Sequence, residues 1–436
     1  MTKTMPSDLF ASDFKAAPYW WDEVPRPDLP RVDPPAQAEV VIVGSGYTGL
    51  QAALQTARGG RHTVVLDAEA AGFGCSTRNG GQISTSVKPG FDELARRHGR
   101  ERAFAIMQEG RNSLRYIGDF VRDEQIDCDF GVVGRFHAAH APGRYEELAR
   151  SVGTQPKGLE VACHVVPRAE QRSEIGSDLY HGGVVYESHA SINPARYHQG
   201  LLQRVVAAGA ELVPHCPATG IERIGQDFLV QTPRGTIRTR EVVIATNGYT
   251  GPLTGWLRRR VIPIGSYVIA TEALEPELVD KLIPKNRIVS DTRKVVYYYR
   301  ASPDRRHILF GGRVSLSEID PRRSGPLLHG AMSRIFPELA GRKISHSWCG
   351  FVAYSFDELM HIGRHEGMHY AMGYCGSGVG MASYLGMRLG QQVLGLAEGK
   401  TAFDGLPFQT RPFYSGNPWF LAPSVLYYSW RDRLAR

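Results

Sequence analysis

Apolar runs and the glycines and prolines between them divide this chain into elements of two kinds. Glu39–Val43 is an almost unbroken apolar run that ends in Gly44, Gly46 and Gly49, and a helical pattern follows from Leu50 to about Arg58. Thr63–Leu66 repeats the apolar run and ends in Asp67, and Glu241–Ala245 repeats it again. Such runs lack polar alternation, which suits parallel strands covered on both faces. From Phe91 to about Arg122, Leu94, Phe104, Met107, Leu114, Ile117 and Phe120 recur at spacings near three and four, which predicts helical structure. Further helices are predicted over Tyr145–Val152 and Met381–Val393. Another begins at Asn193, a good N-cap with Pro194 in the first helical position, and runs to about Ala208. Gly131–Ala139 and Gly182–Tyr186 read as short strands.

From Val261 to Gly312 the pattern changes to strands and turns, including Val295–Arg300 and Ile308–Gly312, and from Trp348 it returns to the first type. At 436 residues the chain exceeds one ordinary core. The expected fold is therefore α/β: a Rossmann-like dinucleotide domain (36–90, 180–260, 346–400) and an antiparallel-sheet α+β substrate domain (91–179, 261–345), both discontinuous. Residues 1–35 hold Tyr19, Trp20, Trp21 and five prolines between Pro25 and Pro35, which predicts an arm laid over the body; 401–436 form a tail.

Composition narrows the classes. Apolar residues at 42% and charged residues at 22% are ordinary for a soluble protein. No apolar run approaches the roughly 20 residues that cross a bilayer, and MTKTMPSDLFASDFK has no apolar leader core, so a cytoplasmic location is expected. The six cysteines (Cys75, Cys128, Cys163, Cys216, Cys349, Cys375) form no C-x-x-C pair, so reduced thiols and no metal are expected. The net charge of +7 comes from dispersed groups such as Arg258-Arg259-Arg260 and Arg322-Arg323. A phosphate-bearing cofactor or an anionic substrate explains it without nucleic acid.

The chemistry concentrates in glycine-rich segments. In the first, Gly44 permits a tight turn, Gly46 admits backbone to a pyrophosphate, Gly49 lets helix and strand close together, and Asp67 stands where a ribose hydroxyl needs a carboxylate. The second, Gly373-Tyr374-Cys375-Gly376-Ser377-Gly378-Val379-Gly380, lies over three hundred residues away and precedes a helix. Together they suggest one dinucleotide held at both ends. Between them, Gly72–Gln82 is a loop of small and polar residues. Its guanidinium, amide and exposed N–H groups suit phosphate or ring carbonyls. On an extended 295–300 segment Val296, Tyr298 and Arg300 share one face. Phenol and guanidinium there are suited to orienting an amine or carboxylate, and the same alternation is also ordinary sheet packing.

Four stretches in this order, VIVGSGYTGL (41–50), GFGCSTRNGGQ (72–82), WCGFVAYSFDELMHIG (348–363) and 373–380, resemble the FAD-dependent amine and amino-acid oxidases of the D-amino-acid oxidase and sarcosine oxidase superfamily, and within it the bacterial gamma-glutamylputrescine oxidases. The resemblance spans almost the whole chain. It implies an extended FAD with substrate between its ring and an antiparallel sheet, hydride passing from the carbon beside an amine to the flavin, imine hydrolysis to an aldehyde or keto product, and O2 reduced to hydrogen peroxide. It implies FAD contacts from Gly44, Gly46, Tyr47, Thr48 and Gly49; from Asp67 and Ala68; from Gly74, Cys75, Ser76, Arg78, Asn79, Gly80, Gly81 and Gln82; from Thr246 and Asn247; from Gly350; and from Gly373, Gly376, Ser377, Gly378, Val379 and Gly380. Tyr298 and Arg300 are the candidates to face substrate, Lys294 to activate oxygen, and His361 to approach the ring. Some relatives attach FAD through a cysteine, but aligning on Asp357 and Gly363 puts Gly350 there instead of Cys349, so non-covalent FAD is expected. Two other readings stay open: a flavin dehydrogenase of an amino acid or opine that passes electrons to a carrier, and a nucleotide-binding protein without turnover.

Overall fold

The computed structural model describes residues 9–27, 29–85, 87–313 and 319–434. Residues 1–8, half of the segment read as lacking a leader core, lie outside them, as do 435 and 436 of the tail. Among the described residues no helix is long and apolar enough to cross a membrane.

Two sheets organise the molecule. In the first, strand Gln37–Val43 lies between Thr63–Leu66 and Gly235–Ile244, all parallel, with Glu211–Val213 beyond the former and Met368–Met372 beyond the latter. The apolar runs predicted these strands because both their faces are covered: Val41, Ile42, Val64 and Val65 are fully buried. Gly235–Ile244 begins earlier than its apolar run because its polar first half pairs antiparallel with Asp227–Thr232.

The second sheet has nine strands among the described residues. Ile344–Tyr354, Ile262–Thr271, Ile308–Gly312, Tyr297–Ala301 and Ile288–Asp291 run antiparallel in that spatial order, followed by Arg135–Ala138, Gly183–Tyr186 and Cys163–Val166. One face packs on helix Pro321–Ile335 through Tyr267, Ile269, Tyr299, Phe310 and Phe336. The other meets the N-terminal arm, Ala195 and the loop 72–82.

Segment membership departs from the expected division. Residues 344–354 and 183–186 belong to the larger sheet. The helical stretch from Phe91 joins the other core, where Leu94, Ile106, Ile117 and Phe120 pack with Leu50, Leu385 and Leu389. That stretch is also two helices, Phe91–His98 and Arg100–Asp123, because Gly99 takes a positive φ of 83° that ends the first and caps the second. Periodicity alone did not resolve a one-residue break. The Asn193 cap is as predicted: its side chain accepts from the N–H groups of Ala195 and Arg196.

The N-terminal arm does lie over the body. Phe10–Lys15 adds a parallel edge strand beside Ile344–Tyr354. Trp20 is fully buried with Trp348 and Val268, its indole N–H donating to Asn79 O at 2.8 Å, and Trp21 donates to Thr77 Oγ1 at 3.0 Å.

Candidate active site

Missing side chains bring the two glycine segments together. Helix Tyr47–Arg58 packs along helix Gly378–Val393 so closely that a Cβ on Gly386 would lie 2.6 Å from Thr48 O, and one on Gly390 2.8 Å from Ala52 O. The matches 48 with 386 and 52 with 390 advance in one direction, so the helices are parallel and both N-termini open at one end. The second projects seven residues, about 10 Å, beyond the first. Thr48 and Tyr374 tie the two starts, hydroxyl to hydroxyl at 2.6 Å. Each start offers unpaired N–H groups and a partial positive charge.

The first turn needs its glycines for different reasons. Gly44 has φ +107°, and a Cβ on Gly49 would stand 1.9 Å from Gly44 O. Asp67 lies at the end of its strand as expected, and its first task is to hold this turn. Oδ2 accepts from Ser45 N at 2.9 Å and Ser45 Oγ at 2.5 Å, and Oδ1 from Glu69 N at 3.0 Å. Ala68 beside it is exposed. Thr246 and Asn247 follow strand Gly235–Ile244, and Asn247 Oδ1 accepts from Gly373 N at 3.0 Å, joining that strand to the second glycine segment. At Gly376 a Cβ would meet nothing nearer than 3.7 Å, and at Gly378 nothing nearer than 4.0 Å. Protein packing does not require that space, which leaves it for a ligand.

A buried histidine, missed in the sequence, supports the turn from behind. His198 donates from Nε2 to Ser45 O at 2.8 Å, while its buried Nδ1 has no partner. Burial, with repulsion from Arg26, pushes its pKa down to about 3. The unfolded chain binds this proton near pH 6.5 and the folded chain does not, so its contribution to stability is complete above about 6.5 and is lost as pH falls toward about 3. We expect folding stability, read as flavin release on unfolding, to fall by up to about 1.4 kcal/mol per pH unit across this window. Flavin fluorescence against pH, compared with His198→Gln, measures it; the variant should show a shallower slope.

The loop 72–82 spends much of its polarity on itself. Asn79 donates to Cys75 O and Ser76 O and accepts from Gly81 N, closing the loop. Arg78 donates to Phe73 O and Cys349 O and lies over Trp21 and Phe73, 4.6 and 4.3 Å from their ring centroids, so its charge is turned toward the arm. Ser76 Oγ accepts from Tyr47 N at 3.0 Å, which places the loop over the first helix start. A Cβ on Gly74 would lie 3.2 Å from the Tyr249 ring, and Gln82 Nε2 reaches Val289 O and Tyr299 O on the large sheet.

Strand register shows which residues of the large sheet face this loop. Ser266 pairs with Gly350, Val268 with Trp348 and with Gly311, Gly311 with Tyr298, and Tyr298 with Ser290, so their side chains share one face. A Cβ on Gly80 would be 3.0 Å from the Tyr298 ring, and one on Gly350 would be 3.2 Å from Arg78 Cβ and 3.5 Å from Cys75 Sγ. Tyr298 therefore stands at the junction, its hydroxyl 2.9 Å from Ser266 Oγ, and burial raises its pKa so that the phenol stays neutral.

The other catalytic candidates sit elsewhere. Arg300 shares the face of Tyr298, but its guanidinium is spent on backbone, donating to Gly81 O, Ile192 O and Ala301 O at 3.0–3.1 Å. Lys294 is exposed at a turn whose backbone N–H donates to Asp432 of the C-terminal helix. His361 is buried between Asp357 Oδ1, 3.0 Å from its Nε2, and the Phe408 ring stacked at 4.0 Å. Residues the sequence reading missed, Lys88, Arg135, His137 and Ser290, border the same face; the alternation of Arg135 and His137 along one strand was the available signal.

Comparison with known proteins fits this architecture. The profile of the FAD dependent oxidoreductase (DAO) family matches residues 39–392. A Rhizobium meliloti protein named Probable oxidoreductase OrdL is 33% identical over 95% of this chain and 97% of its own. The Escherichia coli Gamma-glutamylputrescine oxidoreductase is 32% identical over 91% of this chain and 93% of its own. Glycine oxidase from Geobacillus kaustophilus superposes with a TM-score of 0.72 at 16% identity, covering 87% of this chain and 99% of its own. With paired glycine helix starts facing an antiparallel sheet and a family match over most of its length, the chain belongs to the DAO family of FAD-dependent oxidoreductases.

Proposed function

We propose that this enzyme oxidises the carbon beside an amine in gamma-glutamylputrescine or a related amine or N-substituted amino acid, in the cytoplasm, with O2 as acceptor and hydrogen peroxide as product. The observation that carries the reading is the loop 72–82 seated on the first glycine helix start through Ser76 and against Tyr298 through Gly80, in a chain 32% identical to the E. coli enzyme over 91% of its length. FAD fits the residues present. The positive end of helix Tyr47–Arg58 suits the pyrophosphate, Asp67 retains some exposed surface for a ribose, and the open positions Gly376 and Gly378 leave room for the ring. Attachment is non-covalent in this reading: Cys349 pairs with Tyr267 on the opposite face and packs on the helix-side core, and Gly350 takes its place toward the cofactor.

When bound, FAD supplies the hydride acceptor. The chain supplies position and polarity. Tyr298, neutral and held by Ser266, offers a hydroxyl to orient the amine. The N-terminus of Gly378–Val393 offers positive potential where negative charge develops.

The test is anaerobic titration of the flavoprotein with gamma-glutamylputrescine, putrescine, sarcosine and simple amino acids, followed by air. Bleaching by gamma-glutamylputrescine at the lowest concentration, reversed by air with peroxide formed, is the expected result. Bleaching without peroxide would move the protein to the dehydrogenases, and no bleaching by any of them would remove the substrate reading.

A further inference from the structure

One cation near the site has no counter-charge. Arg135 lies on strand Arg135–Ala138, and the register of that strand puts Arg135 and His137 on the face of Ser290 and Tyr298, while Phe136 and Ala138 enter the helix-side core. Protein surrounds Arg135, yet it keeps accessible surface, as expected of a side chain that lines a hollow. No Asp or Glu pairs with it among the described residues. Its Nη1 reaches Ser290 Oγ only at 3.5 Å, its Nε is buried without a partner, and its strand neighbours across the sheet are Tyr186 and Ile288. Desolvation pushes its pKa down to about 10.

A second cation stands close by. Lys88 carries exposed side-chain surface and makes no hydrogen bond or ion pair among the described residues; its Cε lies 4.0 Å from where a Cβ on Gly376 would be. Arg135 and Lys294 repel its ammonium, and Cys375 and Glu358 are the acidic groups that act on it. His137, with Nδ1 3.0 Å from Ser290 Oγ, is neutral under burial and the repulsion of both cations. An unpaired guanidinium withdrawn from water is costly unless an anion joins it.

We propose that Arg135, seconded by Lys88, is a carboxylate subsite that selects amines carrying a carboxylate at the far end of the molecule. This rests on the function proposed above and specifies its substrate class. Tyr298, Ser290 and His137 form one row over three adjacent strands about 4.8 Å apart, and Arg135 is two residues further along, about 12 Å from Tyr298 in all. In a gamma-glutamyl derivative of a four-carbon diamine, about nine bonds separate the amine-bearing carbon from the carboxylate, roughly 11 Å extended. The spacing matches such a chain laid across the sheet. It exceeds the length of a small amino acid, whose carboxylate and amine share one carbon.

The experiment uses the holoenzyme and two probes. The first is the KM ratio between gamma-glutamylputrescine and N-butyrylputrescine, which keeps the amide and the terminal amine and lacks the carboxylate and the α-amino group beside it. In Arg135→Gln the KM of the glutamyl substrate should rise about 30-fold more than that of the butyryl one, the effect of losing a charge-assisted contact worth about 2 kcal/mol. The second is binding of glutaramate, a carboxylate and amide without an amine, measured by calorimetry. Its Kd should rise about 30-fold in Arg135→Gln, less in Arg135→Lys, and about 5-fold in Lys88→Gln. Flavin content and melting temperature of each variant register any loss of fold, and the Lys88→Gln arm keeps the test informative if Arg135→Gln fails to load FAD. Equal Kd values for glutaramate in wild type and variants, or equal KM changes for both amines, would overturn the subsite. If neither amine reduces the flavin while glutaramate still binds through Arg135, the proposed reaction falls and the carboxylate subsite stands.

Discussion

Gly49→Ala is expected to give a protein that does not retain FAD. The added Cβ would stand 1.9 Å from Gly44 O and 3.0 Å from Gly44 C, and both obstacles are backbone, so no side-chain rotation relieves them. Relief requires the helix start to move off the strand end. That displaces the Thr48–Tyr374 contact and the packing of Gly386 on Thr48 O, which together align the two helices. A penalty of about 3 kcal/mol or more corresponds to at least about a 100-fold loss of FAD affinity. Gly378→Ala is the informative contrast. Its Cβ would meet no protein atom nearer than 4.0 Å, so the apoprotein should melt as wild type does while FAD binds at least about tenfold more weakly, because the methyl group occupies ligand space. Equal FAD affinity in Gly378→Ala and wild type would show that the ring lies elsewhere. Flavin absorbance after desalting and thermal melts with and without added FAD measure both.

Arg300→Ala is expected to act on stability before it acts on substrate. Its guanidinium is the donor for Gly81 O, from the loop, and Ile192 O, from the segment entering helix Pro194–Ala207, and so it ties the loop to the large sheet. Gly81 cannot shift to compensate: it has a positive φ of 65°, and a Cβ on it would fall 2.1 Å from Ile192 O. Gly81 O keeps the Ile192 N–H as a donor, but Ile192 O loses the only side-chain donor it has among the described residues, which costs about 2 kcal/mol and lowers the melting temperature by a few degrees in a chain of this size. Arg300→Lys should recover only part, because one ammonium does not reproduce a fork that serves several carbonyls. A residue that bound substrate would show the reverse, a raised KM with melting unchanged. Melting curves and KM values for both variants separate the two roles.

How much of the site could be read beforehand depended on how local its cause is. Gly44 is demanded by its own positive φ and Gly49 by the Gly44 carbonyl just before it in the chain, so their spacing carries the meaning, whereas the atoms that face Gly44 and Gly46 come from Ala245 and Ser76. The alternation from Val296 to Arg300 put Tyr298 and Arg300 on one face of the sheet, since strand period alone decides that. It did not say what stands opposite. Tyr298 meets Gly80 and Ser266, whereas Arg300, two residues on, meets carbonyls that consume its donors. Lys294 and His361 were chosen for their chemistry, and the fold gave one to a surface turn and the other to a buried pair with Asp357.

The residues by themselves determined the strand–turn–helix at the start, its need for a dinucleotide, the helix after Gly378 and the antiparallel character of the middle of the chain, because each follows from φ preferences and from period-two or period-3.6 patterning over a few turns. Tertiary structure alone decided that the glycine helices run parallel with their starts staggered by about 10 Å. It also put residues 344–354 in the larger sheet, committed Arg300 to backbone, and left Arg135 without a carboxylate among the described residues. Those outcomes depend on pairings between segments up to three hundred residues apart, where each side chain's role is set by the atoms placed across from it.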